Sequence, residues 1–99
     1  MSVDLSGQTI VVAARDQVSC ELGNEAAVLN MKNGVYYGLD TIGAQVWKLL
    51  QHPLRVAEIQ EALLREYDVE PERCEQDLKA LLEKLLAEGL IEVQNGATV

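Results

Sequence analysis

Gly34-Val35-Tyr36-Tyr37-Gly38-Leu39-Asp40-Thr41-Ile42-Gly43-Ala44-Gln45-Val46-Trp47-Lys48-Leu49-Leu50 is the stretch on which the fold turns. Its first part reads as a strand. A period of two puts Val35, Tyr37 and Leu39 on one face, expected to be the core face, and Tyr36 and Gly38 on the other. Gly38 is a weak strand former and marks a bulge or a close backbone approach. Upstream, Ala26 to Met31 is the matching strand, and Lys32-Asn33-Gly34 is the turn, with Asn-Gly supplying positive φ values. Asp40 or Thr41 then caps a helix, since either side-chain oxygen can accept an orphan backbone N–H. Ile42, Val46, Leu49 and Leu50 form its apolar stripe with Trp47 beside it, and His52-Pro53 ends it.

Working outward, Ile10 to Ala13 is a short β-prone run, and Val18 to Leu22 alternates apolar and polar before a Gly23-Asn24 turn. The ends of the chain, residues 1 to 8 and Gln94 to Val99, read as frayed and loose, leaving an ordered core of about 9–93. Val56, Ile59, Leu63 and Tyr67 recur at helical spacing and predict a second helix. Pro71 suits the first turn of a third helix. That helix carries Cys74, Leu78, Leu81, Leu82, Leu85 and Leu86 inward, with Gly89 at its C-terminal cap. Leu90 to Val93 is a final short strand. The expected fold is α+β: a small N-terminal antiparallel sheet of about three strands, then three α-helices, in a winged helix-turn-helix arrangement. The chain of 99 residues fits one domain, 1–99.

Composition narrows the chemistry. Hydrophobic residues make up 48% of the chain and aromatics only 4%, so the core is aliphatic around Trp47 and the tyrosines. The formal net charge is -8, which opposes phosphate and anionic membrane surfaces and suits a cationic or apolar partner. No run approaches the roughly 18 apolar residues of a membrane span, and the N-terminus lacks a signal-peptide pattern, so a cytoplasmic protein is expected. Cys20 and Cys74 form no C-x-x-C pair and read as buried reduced thiols. The single histidine, His52, has no second ligand at metal spacing and reads as an exposed loop residue. Neither a nucleophile elbow nor a phosphate-binding loop occurs. No catalytic residue, cofactor or metal is therefore expected, and the chain does not read as an enzyme.

Two features are left. The strand Val35 to Leu39, if it lies at a sheet edge, is a template for a foreign strand. The third helix has an apolar stripe broader than one core face needs; its surplus can line a groove, although such stripes are more often simply core.

The segment Gly34 to Leu50 resembles the signature of the PqqD-like family: G-x-Y-Y-x-L-[ND], a small-residue helix start, then [IV]-W-x-L-L. Val56-Ala57-Glu58-Ile59, Leu63 and Tyr67 resemble that family's second helix. Asp77-Leu78, Leu81-Leu82, Leu85 and Glu88-Gly89-Leu90-Ile91 resemble its third helix and exit. The resemblance covers about residues 18 to 93. It implies a recognition element for ribosomally synthesised and post-translationally modified peptides. Such an element binds the leader segment of a precursor by β-strand addition, beside the third sheet strand and against the third helix. Carried onto this chain, the leader lies beside Val35, Tyr36, Tyr37, Gly38 and Leu39. On the third helix it meets Arg73, Cys74, Asp77, Leu78, Leu81 and Lys84.

The double tyrosine and Trp47 are similar to stand-alone leader-binding proteins of lasso-peptide biosynthesis. That similarity implies a separate leader-cleaving cysteine protease and an ATP-dependent cyclase as partners. The chain departs from the cofactor-biosynthesis branch, whose Leu-x-x-Pro-Glu-Gly turn is replaced by Leu29-Asn30-Met31-Lys32-Asn33-Gly34. Arg55 stands where relatives have a Ser or Thr cap. The alternatives are a peptide chaperone for a radical modifying enzyme, a winged-helix DNA-binding regulator, or a structural subunit whose groove is a dimer interface. The DNA reading needs a basic recognition helix, yet Glu72, Glu75, Asp77, Glu83 and Glu88 outnumber Arg73, Lys79 and Lys84.

Overall fold

The computed structural model describes residues 7–15 and 17–94. Along the chain run Ile10–Ala13 (β1), Gln17–Leu22 (β2), Glu25–Asn30 (β3), Val35–Leu39 (β4), Thr41–Leu49 (α1), Leu54–Arg55 (β5), Val56–Glu66 (α2), Pro71–Ala87 (α3) and Ile91–Val93 (β6). The architecture is α+β and winged-helix-like, with the small sheet preceding the helices as the sequence predicts. The strands divide into two antiparallel sheets of three, in the orders β5-β1-β6 and β2-β3-β4. The first of these was not foreseen. Its middle strand, β1, is the predicted β-prone run, but β1 pairs with residues more than forty positions away and not with β2. The ends near it are tied down within the described range: Gly7 C=O accepts the Ala57 N–H at 3.0 Å, and the Gln94 N–H donates to Ile10 C=O at 2.7 Å. The remaining terminal residues expected to be frayed or loose, 1–6 and 95–99, lie outside the described residues.

The β3–β4 hairpin is built differently from the two-residue reversal that Asn33-Gly34 suggests. Met31 to Gly34 form a four-residue turn between the paired residues Asn30 and Val35. Only Gly34 takes a positive φ, 71°, a conformation that glycine adopts without a Cβ penalty. Asn33 contributes through its side chain instead, whose Oδ1 accepts the Val35 N–H at 3.0 Å. This is the asparagine's habit of bonding backbone two residues on.

Helix ends follow the local chemistry. Asp40 caps α1, its Oδ1 accepting the Gly43 N–H at 2.8 Å. Arg55 at the head of α2 offers no oxygen, and Glu58 compensates by accepting the Arg55 N–H at 2.9 Å. Pro71 opens α3, and Gly89, at φ 73°, closes it. The core includes Val28 and Leu39 from the second sheet, Val11 and Ile91 from the first, Val46, Trp47, Ile59, Leu63, Leu78, Leu82 and Leu85 from the helices, and Leu50 at the C-terminal cap of α1. Two expectations fail at the margins. Val35, expected inward, is 42% exposed at the hairpin end, where no helix covers it. Ile42, expected in the α1 core stripe, is 41% exposed because it sits in the first turn, beyond the sheet.

Leu39 joins β4 to α1 and is buried against both layers. Leu39→Ala is expected to lower stability by about 2–5 kcal/mol, read as a reduced denaturant midpoint at unchanged slope.

Candidate functional site

β4 pairs with β3 and with no other strand among the described residues. The direction of its free backbone groups follows from the register. The two-residue Gly23-Asn24 turn closes on Leu22 and Glu25, which makes that a hydrogen-bonded pair. Pairs alternate along an antiparallel ladder. Residues Glu25, Ala27 and Leu29 therefore bond toward β2, and Ala26, Val28 and Asn30 bond toward β4. On β4, Val35, Tyr37 and Leu39 answer them. The N–H and C=O groups of Tyr36 and Gly38 point away, into the open edge.

Beside this edge lies a cleft of about 230 Å³ lined by Tyr36, Tyr37, Gly38 and Leu39 from β4 and Leu81, Lys84, Leu85 and Glu88 from α3. Two contacts from the hairpin reach Glu88, one of the residues that line it. The Tyr37 hydroxyl donates to Glu88 Oε2 at 2.7 Å. The buried Asn30 side chain donates from Nδ2 to the Glu88 C=O at 2.9 Å and accepts the Lys32 N–H on Oδ1 at 2.9 Å. Lys84, on the same wall, makes no ion pair with the described residues, whereas Arg73, Lys79, Lys48 and Arg55 are each beside a carboxylate.

A second cavity, of about 110 Å³, opens farther along α3, between the start of α1, the exit of α2 and the first half of α3. Ile42, Val46, Leu63, Tyr67, Val69, Leu78 and Leu81 give it apolar walls; Cys74 is at its base, and Arg73 and Asp77 line it too. An apolar cavity of about 150 Å³ holds a benzene ring, so this one suits a single aliphatic or small aromatic side chain. Burial pushes the Cys74 thiol up, and the Asp77 carboxylate adds to the shift, so Cys74 is a protonated, apolar surface here and not a nucleophile.

All but one of the sequence-derived residues thus fall into two neighbouring places. Tyr36, Tyr37, Gly38 and Leu39 of β4 line the cleft with Lys84, whereas Val35, at the hairpin end, lines neither place. Arg73, Cys74, Asp77 and Leu78 line the cavity. Leu81 lines both and joins them. Sequence reasoning missed Ile42, Tyr67 and Val69, which come from the ends of other elements, and Glu88. The three apolar residues share one signal, a position close to a helix boundary; Glu88 is at a boundary too, but its acidic side chain gave no such sign. Cys20, expected to be buried, is exposed, because β2 has no layer over its outer side. Among the described residues there is no group of three His, Cys, Asp or Glu side chains able to hold a metal, and no helix long and apolar enough to cross a membrane.

Comparison with known proteins bears on this geometry. The sequence pattern of the family described as "Coenzyme PQQ synthesis protein D (PqqD)" matches residues 25–91. No curated protein matches. Among solved structures, the chain is similar to "TbiB1 in Complex with the TbiA(beta) Leader Peptide", at 33% identity and a TM-score of 0.77, covering 82% of this chain and 94% of that one.

The hydrogen bond to Glu88, then burial, then the negative charge of Glu88 hold the Tyr37 phenol above the usual tyrosine value, against a smaller lowering effect of Asn33. The folded chain therefore keeps this proton when the unfolded chain, ionising near pH 10, has lost it. The contribution to stability is complete below about pH 10 and is lost as pH rises from there through the higher folded value. Phenolate absorbance should show one late-titrating tyrosine that is missing in Tyr37→Phe. The alkaline fall in stability should be shallower in that variant.

Proposed function

The chain belongs to the PqqD family, as a PqqD-like recognition element for modified ribosomal peptides, and from that premise we propose that it binds the leader segment of a precursor peptide by adding it as a strand to β4. The single observation carrying this reading is the open ladder at Tyr36 and Gly38 beside a cleft walled by α3. A peptide antiparallel to β4 gains up to four main-chain hydrogen bonds from those two residues, which supply affinity regardless of sequence. Selectivity comes from side chains: one apolar residue for the cavity at Leu78 and Leu81, and a carboxylate for Lys84. The similar protein's leader-peptide complex supports the same reading. Val35, Tyr36, Tyr37, Gly38, Leu39, Arg73, Cys74, Asp77, Leu78, Leu81 and Lys84 are accordingly the proposed leader-contacting residues, on a single recognition domain spanning 1–99.

The finer assignment is delivery of the bound leader to a separate leader-cleaving protease and a cyclase of lasso-peptide biosynthesis. Holding the precursor on a small adaptor raises its effective concentration at an enzyme that docks on the same adaptor. No catalytic step is assigned to the chain. The charge of α3 speaks against DNA as the ligand of this fold.

A binding isotherm with the leader of the cognate precursor tests the proposal. Tyr36→Pro and Gly38→Pro each remove one outward N–H and set a ring against the incoming strand, with an expected loss of about tenfold or more in affinity. Gly38→Ala is the control: a Cβ there meets nothing within 4 Å, and affinity should hold. Equal affinity for wild type and both proline variants would overturn strand addition.

A further inference from the structure

β2 is a second open edge. It pairs with β3 and with no other strand among the described residues. The register that bonds Val18, Cys20 and Leu22 toward β3 turns the N–H and C=O groups of Ser19 and Glu21 outward. The side chains divide in the same way. Ser19 and Glu21 line a polar cleft against α1, and Glu21 pairs with Lys48 at 3.5 Å. Val18, Cys20 and Leu22 lie on the opposite face, and all three are exposed, Val18 by 55% and Leu22 by 61%. Native edge strands are blunted by a lysine, a proline, a bulge or an inward-pointing charge. β2 has no lysine or proline, and its register with β3 is unbroken. Its one inward charge, Glu21, is already matched by Lys48.

We propose that β2 is a self-association edge: a second copy of this chain adds its own β2 antiparallel to it, about a twofold axis at Cys20. The strand is self-complementary in that register. Ser19 meets Glu21 of the second copy and Glu21 meets its Ser19, so no two carboxylates face each other. These are the hydrogen-bonded pairs, and together they supply about four main-chain hydrogen bonds. On the outer face Val18 meets Leu22 of the second copy, Leu22 meets its Val18, and Cys20 meets Cys20. Neighbouring registers are worse. Centred on Glu21, the two carboxylates oppose each other; centred on Ser19, Leu22 loses its apolar partner. This palindrome selects a second copy over an unrelated strand. Two sheets of three strands join into one continuous sheet, with a β4 edge free at each end. The association goes beyond the leader reading and does not rest on it. The edge is six residues, about 20 Å long, a small part of the about 800 Å² that a stable complex buries on each partner. Each copy also carries a charge of -8, so the dimer is weak, concentration-dependent and helped by salt.

Sedimentation equilibrium of the full reduced chain at about 0.15 M salt is the first test. The mass should climb from 10.9 kDa toward twice that value as the concentration approaches about 1 mM. Val18→Lys, a charge on the exposed edge, should stay at one chain with its thermal midpoint unchanged, and Leu22→Lys replaces it should it lose thermal cooperativity. Trapping reads the register. Non-hydrogen-bonded partners stand about 4.5 Å apart at Cα, within the range of about 4.4–6.8 Å that a disulfide spans. Oxidised glutathione should therefore join two chains through Cys20, each bond consuming two thiols and one oxidised glutathione and releasing two reduced ones. Cys74→Ala should be trapped as fast as wild type. Val18→Cys/Cys20→Ser, whose thiols fall out of register, should be trapped about tenfold more slowly. A wild-type chain that stays at 10.9 kDa, or a Val18→Lys chain that still pairs, overturns the proposal. So does trapping that is equally fast from position 18. Open-ended assemblies, or a dimer that the cognate leader dissolves, overturn it too, since β4 then takes part. A chain that pairs but ignores the leader sinks the leader reading alone.

Discussion

Asn30 and Tyr37 reach from the hairpin to one residue at the exit of α3. The Glu88 carbonyl receives the Asn30 amide and the Glu88 carboxylate receives the Tyr37 hydroxyl. Asn30 is the one buried polar residue of the described core, and both ends of its amide are bonded, which removes the cost of placing it there. The tie joins two elements more than fifty residues apart in sequence. It ties the exit of α3 to the hairpin, while Leu78, Leu82 and Leu85 anchor the same helix in the core. The cleft is lined from the two elements so joined.

Cysteine placement shows how environment, not residue type, sets chemistry here. Cys74 is enclosed by aliphatic side chains with Asp77 nearby, and both effects keep its proton on. Cys20 lies on an open sheet face with only a weak contact to the Glu21 carbonyl at 3.7 Å. One thiol is a wall of the site. The other belongs to the surface.

Much of the fold was legible because local rules were obeyed. Gly34, Asp40, Pro53, Pro71 and Gly89 each punctuate an element by a mechanism that needs no tertiary context. β4 was legible as a strand from its alternation, but its place at the edge was only a condition in the sequence and follows from the sheet order. The first sheet was not, since β5 is two residues long and carries no pattern, and β1 finds its partners only when the helices bring both neighbours to it. Within the site, the α3 residues were legible as a broad stripe, but a stripe does not say which of its edges meets a strand and which meets a helix. Ile42 illustrates the limit. Its helical position matched the core, and only the offset of α1 against the sheet turned it into the wall of a cavity.

Leu81 stands between the strand-side cleft and the apolar cavity and contributes to both. Because α3 is a continuous helix from Pro71 to Ala87, the span between those two places is rigid. For a peptide seated as proposed, this span acts as a ruler. The number of residues between its backbone-paired segment and its anchoring side chain is fixed, and one inserted residue moves the anchor by about 3.4 Å and turns it to the opposite side. Recognition of this kind selects peptides by spacing as well as by composition, and sequences unlike one another can satisfy it equally.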